Sequence, residues 1–179
     1  MYPNQQSKHK VFVSYYHKDD QYYRDEFERM FGNVFISKSV HPGDINDDLS
    51  TDYIKRLIRE DYITDASVVV VLVGSNAWRR KHVDWEIYAG LSKMAGGYSG
   101  LVGILLPSFP TSGGRSYDTD NLPPRLADNV LSKYAKVYSW SDVCSSGFIT
   151  RSAIEVAFRR RIDKSHLIKN GREQFDRNR

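Results

Sequence analysis

Short apolar runs alternate with amphipathic segments along this chain. The run at residues 67–73 is rich in valine and leucine without a polar break after its first residue, which is typical of a central parallel strand covered on both faces. Apolar residues recur at Tyr23, Phe27, Met30 and Phe31, the spacing of one face of a helix. The same criteria predict strands at residues 10–15, 34–36, 67–73, 101–106 and 136–140. They predict helices from Asp19 or Asp20 to Phe31 and at residues 48–62, 82–95, 123–132 and 150–164.

This alternation indicates an α/β domain: an open, mostly parallel sheet of about five strands with helices on both faces, joined by right-handed crossovers. The expected segments are an extended or disordered leader, one compact domain and a basic tail, at residues 1–9, 10–164 and 165–179. Such sheets bind ligands at the carboxyl ends of their strands, near the switch in strand order. The candidate site therefore lies in the loops that follow Tyr15, Ile36 and Val73.

Composition limits the cellular compartments and the classes of partner that we expect for this protein. The 179 residues suit one domain, and Cys144, the single cysteine, excludes an internal disulfide or a multi-cysteine metal site. The polar start and the short apolar runs lead us to expect a cytoplasmic protein without membrane contact or bound metal. The net charge of +4 arises in residues 159–179, which hold eight Lys or Arg and three Asp or Glu. We interpret this excess as a solvated helix end and frayed terminus in preference to a nucleic-acid or lipid contact.

Several common catalytic motifs are absent. The sequence has no Walker A loop and no HExxH, and its closely spaced glycines, Gly96, Gly97 and Gly100, precede a predicted strand, whereas a dinucleotide fingerprint follows one. Ser14 and Ser75 stand at predicted strand ends, but neither lies in a GxSxG elbow. Classical dinucleotide binding and serine nucleophile chemistry are therefore disfavoured.

Three segments, taken in their order along the chain, resemble the TIR-like domain family, whose fold is flavodoxin-like. "VFVSYY" with Asp19 and Asp20 behind it resembles the first TIR box, and "HPGDI" resembles the second box and its loop. "VVVVLVGSNAW" followed by "HVDWEI" resembles the third strand and the helix with the glutamate of NAD-cleaving TIR enzymes. Within this family, "GSNAWRRKHVDWEI" is most similar to the TIR-like sensor subunit of the bacterial Thoeris antiphage defence system.

The resemblance implies an enzyme that cleaves NAD at the nicotinamide–ribose bond and makes an ADP-ribose-derived signal, cyclic or otherwise modified. That signal would activate a separate effector protein. NAD is then the substrate, no prosthetic group is expected, and self-association through TIR-like surfaces is expected as well.

Glu86 is the candidate catalytic residue. On a helical wheel it flanks an apolar stripe, so its carboxylate borders the core and can reach the carboxyl edge of the sheet. The stripe consists of Val83, Ile87, Gly90, Leu91 and Met94. Cleavage of the nicotinamide–ribose bond passes through an oxocarbenium-like state, which an anion beside the ribose stabilises, and nicotinamide leaves as a neutral ring without a strong general acid. In the alternative interpretation, Asp84 and Glu86 only complement the helix dipole.

Eight further residues are candidates for contact with NAD. They are Ser14, Tyr15, Pro42, Gly43, Asp44, Ser75, Trp78 and His82. Ser14 and Tyr15 could meet the ribose or nicotinamide, or simply end a strand. The loop that contains Pro42 could close over the nucleotide or be a plain surface turn, and Trp78 could stack on a substrate ring or cover the core.

One departure from the family pattern concerns tryptophan. NAD-cleaving TIR enzymes commonly carry Trp four residues before the glutamate, whereas this chain has His82 there and Trp85 directly before Glu86. His82 could replace the missing ring, indicate a changed substrate geometry or be structural. The wheel directs Trp85 away from the apolar stripe, so it is expected to contact a neighbouring subunit or to be singly exposed.

Two other functions remain open. One is a TIR-like scaffold that binds partner proteins without catalysis, and the other is a nucleoside deoxyribosyltransferase-like enzyme whose glutamate attacks a deoxyribose. The fold does not choose among them.

Overall fold

One parallel sheet forms the centre of the molecule. The computed structural model describes residues 8–39, 49–111 and 116–179, and within these ranges the sheet has five strands in the order β2-β1-β3-β4-β5. The strands are β1 Lys10–Ser14, β2 Ile36–Lys38, β3 Val68–Val73, β4 Gly100–Leu105 and β5 Lys136–Ser139. All four neighbouring pairs are parallel, which confirms the predicted α/β class with its five-stranded parallel sheet. The strand order switches between β1 and β3.

Helices cover both faces of the sheet. They are α1 His17–Phe31, α2 Thr51–Leu57, α3 Lys81–Gly90, α4 Pro124–Leu131, α5 Trp140–Ser145 and α6 Gly147–Asp163. The chain continues from α2 into π-helical turns at Ile58–Ile63, and 3₁₀ turns occupy Ala77–Arg79, Thr119–Asn121 and Ser165–Leu167. None of the helices in the described ranges combines the length and the apolar character that a membrane span requires.

Alternation along the strands divides the core into two layers. Phe12 and Val69 point towards α2, α3 and α4, whereas Val13 and Val70 point towards α1, α5 and α6. Every residue of β3 and β4 is buried, while the edge strands β2 and β5 are short and partly exposed. Burial on both faces explains why the sequences of the central strands are unbroken apolar runs.

Element boundaries differ from the prediction where turns intervene. β2 begins at Ile36, two residues late, because the Val34 amide closes a turn on the Phe31 carbonyl at 2.7 Å. α3 ends at Gly90 instead of residue 95, because Met94 and Gly97 pair across a tight turn in which Gly97 has φ +90°. The pattern also failed to predict α5.

The C-terminal segment is ordered against the domain. We term residues 168–179 the C-terminal strap. Asn129 binds the strap in both directions: its Nδ2 donates to the Lys169 carbonyl at 2.8 Å and its Oδ1 accepts from the Lys169 amide at 2.9 Å. Phe175 is buried. The expectation of a frayed, solvated terminus is therefore wrong, because polar groups of α4 bind the strap backbone.

A close contact between β4 and α6 makes Gly100 sensitive to substitution. An added Cβ would lie 2.1 Å from the Ala157 carbonyl oxygen, which belongs to helix backbone and cannot rotate away. We expect Gly100→Ala to lower the free energy of unfolding by about 2 kcal/mol or more, measured by urea denaturation. Gly147→Ala is the matched control because nothing lies within 4 Å of its added Cβ. Equal effects of the two substitutions would contradict this account.

Candidate functional site

A buried pair of polar side chains lies at the carboxyl end of β1. Ser14 is the last residue of this strand, and alternation from Phe12 places its side chain on the side of α3. Its Oγ donates a hydrogen bond to Glu86 Oε2 at 2.5 Å. The strand order switches beside this strand, so the pair occupies the position at which open α/β sheets bind ligands.

Burial controls the protonation of Glu86. The residue is 3% exposed, and removal from water raises the pKa of its carboxyl to about 8, while the hydrogen bond from Ser14 acts in the lowering direction. At pH 7 the carboxyl is therefore mostly protonated. The side chain is directed inward from the second turn of α3, which does not match a surface charge placed only to complement the helix dipole.

A second buried carboxyl joins the ends of β1 and β3. Asp20, in the first turns of α1, is buried and interacts with the backbone amides of Tyr16 and Gly74. Burial, and then the charge of Asp19, raise the pKa of Asp20 to about 6. Asp19 in turn accepts a hydrogen bond from Asn76 Nδ2 at 2.6 Å. These contacts fix the loop after β3 to the start of α1, a role that sequence reasoning missed although both aspartates stood in the first TIR-like segment.

Tyr15 points away from the Ser14–Glu86 pair. It lies in the core layer on the side of α1, where its hydroxyl donates to Gln21 Oε1 at 2.8 Å and its ring lies 4.4 Å from that of His17. Burial raises the pKa of Tyr15 to about 12, with a smaller contribution from the charge of Glu86. The adjacent residues Ser14 and Tyr15 thus serve opposite faces of the sheet.

Three of the other predicted residues lie between β3 and the first turn of α3. Ser75 is exposed two residues after the end of β3, and Trp78 is half-buried in the turn Ala77–Arg79. His82 is half-buried, with its ring centre 5.1 Å from that of Trp85. Pro42, Gly43 and Asp44 lie outside the described residues. Within the described ranges, no group of three His, Cys, Asp or Glu residues could hold a metal ion.

Comparison with known proteins places this arrangement in a family. The family described as Thoeris protein ThsB, TIR-like domain, matches residues 12–110, a range that contains both Ser14 and Glu86. The chain belongs to the Thoeris ThsB TIR-like family. This finding confirms the resemblance inferred from the ordered segments.

The match to solved structures is more distant. A structure described as the TIR domains of the activated Roq1 resistosome, directly recognizing the pathogen effector XopQ, has 12% sequence identity and a TM-score of 0.40. The similarity covers 90% of this chain and 95% of that chain, and at this level it says nothing about activity. No curated protein matches the chain.

Trp85 of this TIR-like domain is not a surface residue. It is 1% exposed, and its Nε1 donates to the Phe175 carbonyl at 2.7 Å. The ammonium groups of Lys55 and Lys81 lie 5.1 and 5.2 Å from the centre of its ring. The expectation of an exposed or intersubunit tryptophan is therefore wrong, because the C-terminal strap covers the side of α3 that the helical wheel left open.

Because Asp20 and Gly74 are in contact, we expect substitutions at these two positions to have coupled effects on stability. A Cβ on Gly74 would lie 2.2 Å from Asp20 Oδ1, so Gly74→Ala should lower the free energy of unfolding by about 2 kcal/mol. In an Asp20→Ala background the same substitution should cost at least about 1 kcal/mol less, because the colliding carboxylate is gone. Chemical denaturation of the four proteins measures this coupling, and additive losses would refute it.

The raised pKa of Glu86 predicts a specific dependence of stability on pH. Between its ordinary pKa of 4.5 and the folded value of about 8, the folded state holds a proton that the unfolded state has lost, so stability falls as pH rises. Glu86→Gln should remove this slope, which has a limit of about 1.4 kcal/mol per pH unit. The difference in free energy of unfolding between variant and parent should thus grow from pH 5 to about pH 8.

Ser14→Ala is a second variant for that experiment, with an effect of its own. It removes a hydrogen bond that lowers the pKa of Glu86, so the upper end of the pH window should move upward. A difference between Glu86→Gln and its parent that stays constant with pH would show that the carboxyl is already ionised in the folded protein.

Proposed function

We propose that this TIR-like domain cleaves NAD at the nicotinamide–ribose bond and releases an ADP-ribose-derived signal, cyclic or otherwise modified. In this proposal the signal activates a separate effector protein in antiphage defence. The observation that carries the proposal is the carboxyl of Glu86, buried against Ser14 at the carboxyl end of β1, beside the switch in strand order. Membership of the Thoeris ThsB TIR-like family supports it.

Glu86 acts on the ribose in this mechanism. As the bond between C1′ and the nicotinamide nitrogen breaks, the electron pair stays with nicotinamide, which leaves as a neutral ring. Positive charge develops on the ribose, and an ionised Glu86 that accepts hydrogen bonds from the ribose hydroxyls stabilises it. Water, or a nucleophilic group of the same molecule, then adds to C1′, and the proton of that nucleophile is released to solvent.

The substrate itself favours the ionised form of Glu86. Its carboxyl has a pKa of about 8 in the protein because burial penalises the charge. The positively charged nicotinamide ring of NAD in the same low-dielectric surroundings lowers that pKa, since an opposite charge at close range stabilises a carboxylate. Ser14 can direct one carboxylate oxygen by hydrogen bonding while the other faces the ribose.

The remaining predicted contacts belong to this proposal. Trp78 stacks on an aromatic ring of NAD, Ser75 and His82 contact the polar parts of the nucleotide, and the loop with Pro42, Gly43 and Asp44 closes over it. Self-association is also part of the proposal. Trp85 is not the residue through which it occurs, because this ring is covered within the same chain.

A non-catalytic scaffold is the second candidate, and the protonation of Glu86 favours it. A neutral carboxyl bonded to a serine hydroxyl is also a satisfied buried polar pair, which needs no substrate to explain it. A deoxyribosyltransferase-like reaction would use the same glutamate as a nucleophile on a different sugar. Each of these two alternatives predicts a result that differs from that of the proposed NAD cleavage.

NAD cleavage by the purified chain tests the proposal. Nicotinamide release is followed by chromatography, with and without extract from phage-infected cells, and Glu86→Gln should reduce the rate by at least about 100-fold. The kcat/KM of the wild-type chain should rise with pH towards about 8, as Glu86 of the free protein ionises. Glu60→Gln is the control, since this glutamate is exposed on the π-helical turns Ile58–Ile63.

The alternatives have their own signatures. Inactivity of the wild-type chain in every assembled and activated state, together with specific capture of a partner protein, would favour the scaffold. Exchange of deoxyribose between free bases, lost in Glu86→Gln, would favour the transferase.

A further inference from the structure

We propose that Arg125 and the C-terminal strap are positioning elements that hold α3 in the rotation which places Glu86 beside Ser14. This inference rests on the proposed function for its catalytic meaning, because it concerns the same carboxyl. Its structural content can be tested without NAD.

Arg125 connects α4, α3 and the strap through a buried cation. The side chain is 0% exposed, and its Nε donates to Asp84 Oδ1 at 2.9 Å. Its Nη2 donates to the Arg172 carbonyl at 2.9 Å, and its Nη1 donates to the Asn170 carbonyl at 3.1 Å. A buried ion pair stabilises a structure only when its remaining donors and acceptors are satisfied, and here strap carbonyls satisfy the guanidinium.

The strap binds the two residues that precede Glu86. The Phe175 amide donates to Asp84 Oδ2 at 3.0 Å, and the Phe175 carbonyl accepts from Trp85 Nε1 at 2.7 Å. Consecutive helical residues are about 100° apart around the axis, so three consecutive residues are held in three directions: two by the strap and one by Ser14. The helix cannot rotate without breaking one of these contacts.

Small rotations would displace the candidate carboxylate. Side-chain tips lie about 5 Å from a helix axis, so a rotation of roughly 20° moves them by about 2 Å. A misplacement of about 1 Å can reduce an enzymatic rate by about 100-fold. Fixing the rotation of α3 therefore matters for the rate of the reaction, in addition to its contribution to the stability of the helix.

The strap also caps the start of α3. Arg80, at the N-cap position, makes no side-chain cap hydrogen bond. Instead, Asn178 Oδ1 accepts from the Lys81 amide at 3.0 Å, although 97 residues separate them in sequence. The Arg179 amide donates to the Arg79 carbonyl at 3.0 Å, which fixes the connection between β3 and α3. The strap thus supplies a hydrogen-bond acceptor for a backbone amide in the first turn of α3, as a capping side chain would.

Phe175→Ala, with Arg177→Ala as its exposed control in the same strap, tests the proposal. In each background the free energy of unfolding is measured across pH 5 to 9 with Glu86 and with Glu86→Gln, so that the difference reports the titration of Glu86 alone. Asp20, with a pKa of about 6, is present in both members of a pair and cancels, and Tyr15, with a pKa of about 12, titrates outside the range.

Loss of the buried Phe175 side chain should loosen the strap and release α3, so that water reaches the Glu86 carboxyl. We expect the Glu86 midpoint to fall by at least about one pH unit, because burial is the larger cause of the raised pKa and its relief outweighs the loss of the hydrogen bond from Ser14. Arg177→Ala should leave the midpoint unchanged. Where NAD cleavage is observed, Phe175→Ala should lower kcat by at least about tenfold at a temperature at which all variants are folded, with little change in KM.

A midpoint that shifts by less than one unit overturns the proposal even if activity falls, because the strap would then act only through global stability. If Phe175→Ala does not fold, Trp85→Phe replaces it, since this substitution keeps a buried aromatic ring but removes the donor to the strap carbonyl together with part of the indole. A fall of at least about half a unit supports the proposal, and a smaller fall or a rise overturns it. A wild-type chain that is inactive in every assembled and activated state would refute the proposed function and leave the midpoint measurement as a valid test of the strap.

Discussion

Burying the carboxyl of Glu86 beside the end of β1 costs free energy, and the surrounding structure has to hold it there. A charged carboxylate in this position would be strongly penalised, so the group keeps its proton up to about pH 8 and forms a hydrogen bond with Ser14. The core residues Val83 and Ile87 fix α3 against the sheet. The carboxyl is therefore mostly uncharged in the folded protein at neutral pH, and it ionises when the pH rises towards 8 or when a compensating positive charge approaches.

Asp84 and Glu86 show how two acidic residues on one helix receive different roles. Asp84 pairs with the buried Arg125 and accepts the Phe175 amide, so its charge is compensated on both oxygens. Glu86 is bonded to an uncharged hydroxyl. The first carboxylate joins α3, α4 and the C-terminal strap, whereas the second joins α3 to the end of β1.

The family match assigns the chain to the Thoeris ThsB TIR-like family, and the parallel five-stranded sheet describes its fold. Neither determines the reaction, because one fold supports enzymes and scaffolds alike. The chemical argument depends on the site: the buried carboxyl of Glu86, a serine at a strand end, and a loop after β3 that Asp20 fixes to α1. The catalytic role of Glu86 stays a prediction.

The sequence by itself determined the elements whose periodicity reports burial. Valine-rich runs specified the central strands, and the amphipathic spacing specified most helices, because local side-chain patterns follow directly from which face meets the core. Glu86 could be nominated because the resemblance to TIR-like domains pointed to it and its helix face agreed, and Ser14 because the pattern placed it at a strand end. The tertiary structure decided their contact, the buried position of Trp85 and the path of the strap. The last two depend on backbone carbonyls and amides of residues 168–179, and because every residue except proline carries both groups, no side-chain pattern predicts these contacts.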